Sequence, residues 1–166
     1  MVRVATAMKL GAVLVAASLL AACSSTKEET PAPVVSTPTS SIKPGSADDF
    51  RVNIGDTVFF DTDQHTVRPD AQSVLQKQAA WLQKYPAVKL MVEGHADERG
   101  TREYNLALGD RRAYAVKEFL VSLGVDAARL QTKSYGKERP VCTESDDSCW
   151  QQNRRGYSVI AAGAGS

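Results

Sequence analysis

The spacing of apolar residues changes several times along the second half of the chain, and each change marks an element. Phe50, Val52 and Ile54 alternate with polar residues, Gly55-Asp56 follows, and Thr57-Val58-Phe59-Phe60 comes next, which predicts two short strands about a glycine turn. Ala71, Val74, Leu75, Ala79, Leu82 and Tyr85 then recur at helical spacing, with Pro69 where a first helical turn accepts it and Pro86 at the end. Val88, Leu90 and Val92 alternate with Lys89, Met91 and Glu93, a strand closing at Gly94. Thr101 is placed to cap a long helix running to Leu123, with Gly124 as the left-handed residue that ends it. Two last strands are expected near 130–135 and 157–161. The order β-α-β-α-β-β predicts an α+β sandwich, helices packed on one mixed sheet, without internal repeats.

The front of the chain has a different pattern. Arg3 and Lys9 precede a run at 10–22 that is apolar or small except for Ser18, too short to span a bilayer but the size of an export-signal core. It ends Leu20-Ala21-Ala22-Cys23, which resembles a bacterial lipobox, where small residues admit the peptidase and the cysteine thiol takes a diacylglyceryl group. The alternatives are an ordinary signal peptide with Cys23 beside the cut, or a short buried helix. On the first reading 1–22 is a lipoprotein signal, 23–49 a lipidated cysteine with a disordered linker, 50–162 the folded domain and 163–166 a tail. Ser24 is not the aspartate that retains enterobacterial lipoproteins in the inner membrane, which favours the periplasmic face of the outer membrane. Residues 24–49 are rich in Ser, Thr and Pro with few large aliphatics, so they cannot offset the entropy of ordering; such a tether spans roughly 30 Å as a coil.

Composition narrows the chemistry. Twenty basic residues against 19 acidic ones, within 166, argue against nucleic-acid binding driven by counterion release. Two histidines leave little for a His-built metal site or for general acid–base work, and neither a metal nor a cofactor is expected. The three cysteines divide as one plus two: Cys23 for lipid, Cys142 and Cys149 for a disulfide in an oxidising compartment, the rival being free thiols or a metal pair.

The stretch Glu93-Gly-His-Ala-Asp-Glu-Arg-Gly100 joins a strand end to a helix start and suits an anionic or polar ligand. On the helix that follows, Leu108, Arg112, Val116, Phe119 and Leu123 fall in one core-facing lane, with Asn105 one turn before and Arg111 turned away. A guanidinium in an apolar lane needs an anion, and Asp97 is the nearest candidate. Two readings stay open: a structural Arg112–Asp97 ion pair, or a ligand site.

Residues Gly94-His-Ala-Asp-Glu-Arg-Gly-Thr-Arg-Glu-Tyr-Asn-Leu-Ala-Leu-Gly-Asp-Arg-Arg-Ala113 resemble the signature of OmpA-like peptidoglycan-binding domains, as do Ser134-Tyr-Gly-Lys-Glu-Arg-Pro140 and Asn153-Arg-Arg155. The resemblance spans about 50–160. It implies a non-enzymatic domain that binds the diaminopimelate of the peptidoglycan stem peptide, with Asp97 accepting from the ligand's ammonium and Arg112 donating to its carboxylate. Asp63, Arg99, Asn105 and Leu108 are implied supports; Thr62 stands where an aromatic is common. With the lipobox and linker in front, it also implies exchange with the periplasmic protein TolB. The alternatives are a plain wall anchor without that exchange, or a cell-wall hydrolase, for which the adjacent carboxylates Asp97 and Glu98 are poorly disposed. Arg154 and Arg155 could neutralise wall or loop carboxylates, or simply form a solvated basic patch.

Overall fold

The computed structural model describes residues 42–165; the signal, the lipobox with Cys23 and most of the linker lie outside the described residues. Its elements are α1 (Ala47–Asp49) continuing into a π-helical turn (Phe50–Ile54), β1 (Thr57–Phe59), α2 (Pro69–Lys84), β2 (Lys89–His95), α3 (Arg102–Ser122), a 3-10 turn (Ala127–Arg129), β3 (Leu130–Gly136), α4 (Asp147–Asn153) and β4 (Arg155–Ala162). The strands form one mixed sheet in the order β1-β4-β2-β3; β4 runs antiparallel to both β1 and β2, and β2 runs parallel to β3. The α+β class and the helices on a mixed sheet are as the sequence predicts.

The last strand is thus inserted at the centre. Gly94 pairs with Gly156, so the start of β4 and the residues just before it arrive beside the end of β2. Between sheet and helices lies a core that includes Phe60, Leu75, Leu82, Leu90, Val92, Val116 and Leu120. Thr101 caps α3 by accepting from the Tyr104 amide, Pro69 occupies the first turn of α2, and Gly124 has φ +90°.

Two local expectations need correction. Residues 50–54 are helical, not a strand: Ser46 caps the turn through the Asp49 amide, Asp48 and Asp49 favour its N-terminus, and Gly55 N–H closes on the Phe50 carbonyl. The alternation at Phe50, Val52 and Ile54 misleads because Val52 is 56% exposed; Phe50 alone is buried, packed against Trp81. Helical backbone accordingly begins at Ala47, ahead of the boundary placed between 49 and 50. The helix α4 is also unforeseen: its seven residues bury only Cys149 and Asn153 and so give no periodic signal.

Candidate ligand-binding site

The site begins with two glycines. A Cβ on Gly94 would lie 1.8 Å from the Gly109 carbonyl oxygen, and one on Gly109 would lie 2.4 Å from Ser134 Oγ. Backbone therefore meets backbone where α3 crosses β2, which sets the first half of α3 directly on the strand end. That contact carries Asn105, Leu108 and Arg112 down to the tip of the sheet.

Arg112 is fully buried, as its lane predicts, while Arg111 is exposed. The lane then drifts: Leu120 is buried where Phe119 and Leu123 were expected to be, because the helix keeps stepping by four from Arg112 through Val116. The Arg112–Asp97 ion pair of the structural reading is not formed. Arg112 instead donates to three carbonyls, Nε to Gln64 (2.8 Å), Nη1 to His95 (2.8 Å) and Nη2 to Asp61 (3.0 Å). A guanidinium has five N–H donors, so one on each terminal nitrogen remains for a planar acceptor. Burial, then repulsion from Arg154, lowers its pKa to about 10 against the pull of Asp97, which leaves it cationic at neutral pH.

Asp97 answers two other arginines. Arg99 donates to both its carboxylate oxygens (Nη2–Oδ2 2.7 Å, Nε–Oδ1 3.2 Å) and adds its backbone amide, while Arg154 Nη1 reaches Oδ2 at 3.3 Å. Burial works against the charge, yet the hydrogen bonds from Arg99 and then Arg154 outweigh it and hold the carboxyl below the ordinary aspartate range. The loop carrying Asp97 turns at Gly100 (φ +87°) and is tied down by Asn105 Nδ2 on the Arg99 carbonyl (2.7 Å) and Lys137 Nζ on the carbonyls of Glu98 (3.0 Å) and Gly100 (2.7 Å).

Asp63 faces these groups from the turn beyond β1, with φ +59° and its carboxylate accepting from the Tyr104 hydroxyl. Aspartate is among the few non-glycine residues found in that left-handed region. Together Asp63, Asp97, Arg99, Asn105, Leu108 and Arg112 line one cleft of about 350 Å³. All six were singled out in the sequence. Thr62, Gly100 and Tyr104 line it too, and Arg154 braces it from behind. The solvated-patch reading fails and the loop-carboxylate reading holds for Arg154: Arg154 and Arg155 are each only 7% exposed, Arg154 reaching Asp97 and Arg155 donating to the Arg139 carbonyl. Tyr104 had a signal, lying one residue before Asn105 in the signature; Arg154 lay in the Asn153-Arg-Arg155 motif, but that its partner is Asp97 could not be read without the strand order.

Burial, then Arg155 and Arg139, lowers the His95 pKa to about 4, so its imidazole is neutral. Its carbonyl serves Arg112 while its ring nitrogens have no hydrogen-bond partner, a poor arrangement for proton transfer. Among the described residues no group of three or more His, Cys, Asp or Glu is arranged to hold a metal, and no helix is long and apolar enough to cross a membrane. Cys142 and Cys149 are bonded, with Cα atoms 5.1 Å apart. The cleft thus offers a fixed cation and a fixed anion with an apolar wall at Leu108, suited to a zwitterionic ligand.

The profile of the OmpA family matches residues 59–154, spanning the cleft and its braces. The chain belongs to the OmpA family. It is 63% identical over 123 residues to the peptidoglycan-associated lipoprotein of Mesorhizobium japonicum, covering 74% of this chain and 73% of that one. The protein of the same name from Agrobacterium fabrum is 61% identical over 125 residues, 75% of this chain and 70% of the relative. A crystal structure of the peptidoglycan-associated lipoprotein from Burkholderia pseudomallei superposes with TM-score 0.65 at 39% identity, covering 69% of this chain and 99% of that structure. Membership gives the architecture; the buried Arg112, the braced Asp97 and the shared cleft are properties of this domain itself.

Proposed function

We propose that this OmpA-family domain binds peptidoglycan non-covalently by taking the diaminopimelate of the stem peptide into the cleft of Asp97 and Arg112. The observation that carries the reading is that one cleft, lined also by the apolar Leu108, holds a buried guanidinium with two donors to spare and an aspartate kept ionised. The ligand's carboxylate receives the Arg112 fork, and its ammonium approaches Asp97, which Arg99 yields in part by turning toward the ligand. Asp63, Asn105 and Leu108 close the cleft around the side chain. The work is binding, not catalysis; the names of the relatives agree with that reading.

On the same reading the chain is an outer-membrane lipoprotein, anchored by lipid on Cys23 and facing the periplasm, and it acts in the Tol–Pal system through exchange with TolB during outer-membrane constriction. The export pattern before Cys23 supports the lipid anchor, the relatives' names support a peptidoglycan-associated lipoprotein, and the TolB part follows from the resemblance of the motifs. The test is sedimentation with purified sacculi. Asp97→Asn and Arg112→Lys proteins that remain folded should be left in the supernatant, whereas normal co-sedimentation of both would refute the site. Co-purification of TolB separates exchange from plain anchoring.

A further inference from the structure

The segment between β3 and β4 contributes nothing to the lining of the cleft, yet it grips the loop that carries Asp97. Trp150 Nε1 donates to Glu98 Oε1 (3.0 Å), and its ring lies under the Arg99 guanidinium, 4.1 Å from carbon to centroid. Arg154, which reaches Asp97, is itself held by the Phe60 carbonyl (3.2 Å) and by Gln151 Oε1 (2.7 Å). All three consecutive loop residues, Asp97, Glu98 and Arg99, are therefore contacted from α4 or its end.

That helix has little to stand on. Seven residues with only Cys149 and Asn153 buried are far below the length at which a helix persists alone. Its fixtures are the Asp146 cap, the Cys142–Cys149 bond, and Asn153, whose side chain accepts from the amides of Val141 (2.8 Å) and Cys142 (3.2 Å) and donates to the Cys142 carbonyl (2.7 Å). The cysteine at 142 is thus fastened to both ends of α4, by sulfur at one and by backbone at the other.

We infer that Trp150 and Arg154 are positioning residues for the ligand loop, and that the Cys142–Cys149 disulfide is the brace that keeps them in place. The disulfide serves binding, not only global stability: without it α4 drifts, Arg99 loses its aromatic support and Asp97 its second cation. The inference rests on the stem-peptide reading of the cleft.

The test uses the full-length protein in detergent, with affinity for a stem peptide containing meso-diaminopimelate read by calorimetric titration. A Trp81→Phe background leaves Trp150 as the sole indole reporter. Wild type and W81F should bind alike, and saturation should shift Trp150 emission as Arg99 moves. Trp150→Ala and the double variant C142S/C149S should each weaken binding by about tenfold, the scale of a lost cation–π contact with its hydrogen bond. Trp150→Phe, which keeps an aromatic face under Arg99, should recover most of that loss. Amide exchange at Arg99, whose N–H bonds Asp97, should quicken in C142S/C149S beyond what its lowered global stability accounts for. Equal affinity of wild type, W150A and C142S/C149S overturns the brace and leaves the site standing. Failure of the wild type to bind, or undiminished binding by D97N, overturns the site and the brace with it.

Discussion

The cleft has two walls of different construction. On the α3 wall Arg112 is fully buried and bonded only to main-chain carbonyls, from two positions in the turn after β1 and one at the end of β2. On the loop wall the Arg99 side chain is 40% exposed; it donates to Asp97 and Thr62 and rests on a tryptophan. Backbone acceptors cannot turn away, so Arg112 is a charge in a fixed place, while Arg99 is held by side chains that can rearrange. The contrast divides the labour: one wall supplies position and the other adjustment, and a ligand is met by a rigid fork before a yielding partner closes on it.

The sharpest way to break the rigid wall is at its foundation. Gly94→Ala forces a methyl to within 1.8 Å of the Gly109 carbonyl, an atom of helix backbone with nowhere to go. The expected loss is more than about 5 kcal/mol, enough to prevent folding, read as failure to obtain a cooperative urea transition. A normal transition would mean that α3 does not bear on β2 as described. Next comes Arg112→Met, which fills the space but strands the buried His95 carbonyl and takes the guanidinium from the half-buried carbonyls of Gln64 and Asp61. A loss of about 2–3 kcal/mol is expected in urea unfolding, together with loss of sedimentation with sacculi.

The two walls were also unequally legible in the sequence. The α3 wall follows from one helix and its spacing: the buried lane through Leu108, Arg112 and Val116 can be counted off residue by residue, and the capping threonine and closing glycine mark its ends. What meets Arg112 could not be counted, because its acceptors are main-chain oxygens, which carry no residue signature. The loop wall's own residues were visible in the signature, as were Asn105, Lys137 and Arg154, but which loop atoms these hold was not. Arg154 is distant in sequence from Asp97 and reaches it only because β4 enters the middle of the sheet; Trp150 sits on a helix with no apolar periodicity. The strand expected at 50–54 failed for the reciprocal reason, since alternation of three apolar residues said nothing about which would be covered: Phe50 is buried against Trp81, Ile54 only in part, and Val52 is exposed. Local spacing thus encoded the rigid wall, and non-local topology the compliant one.

A pH dependence sharpens the comparison because His95 belongs to the rigid wall through its carbonyl. Its folded pKa of about 4 lies below the ordinary 6.5, so as pH falls through 6.5 the unfolded chain takes up a proton that the folded one refuses. Stability is therefore full above that range and is lost as pH falls toward 4, by roughly 3 kcal/mol. Asp97, with its pKa depressed, keeps its contribution throughout this window and loses it only at lower pH. Urea unfolding of wild type between pH 7 and 4.5 should show the decline, and His95→Phe should flatten it. An equal decline in H95F would place the sensitive group elsewhere.

The smallest effect on folding belongs to the compliant wall, and it is the most discriminating. Arg99→Ala removes an exposed side chain whose partner Asp97 keeps Arg154, so folding free energy should change by less than about 1 kcal/mol. Binding should still weaken by about tenfold, because the ligand loses the guanidinium that closes on it. Arg112 variants lose stability and binding together, while Arg99 variants should lose binding alone. The check is to plot stem-peptide affinity against urea midpoint for both series. If Arg99→Ala fell on the line drawn by the Arg112 variants, the loop wall would be as structural as the helix wall and the division of labour between them would be lost.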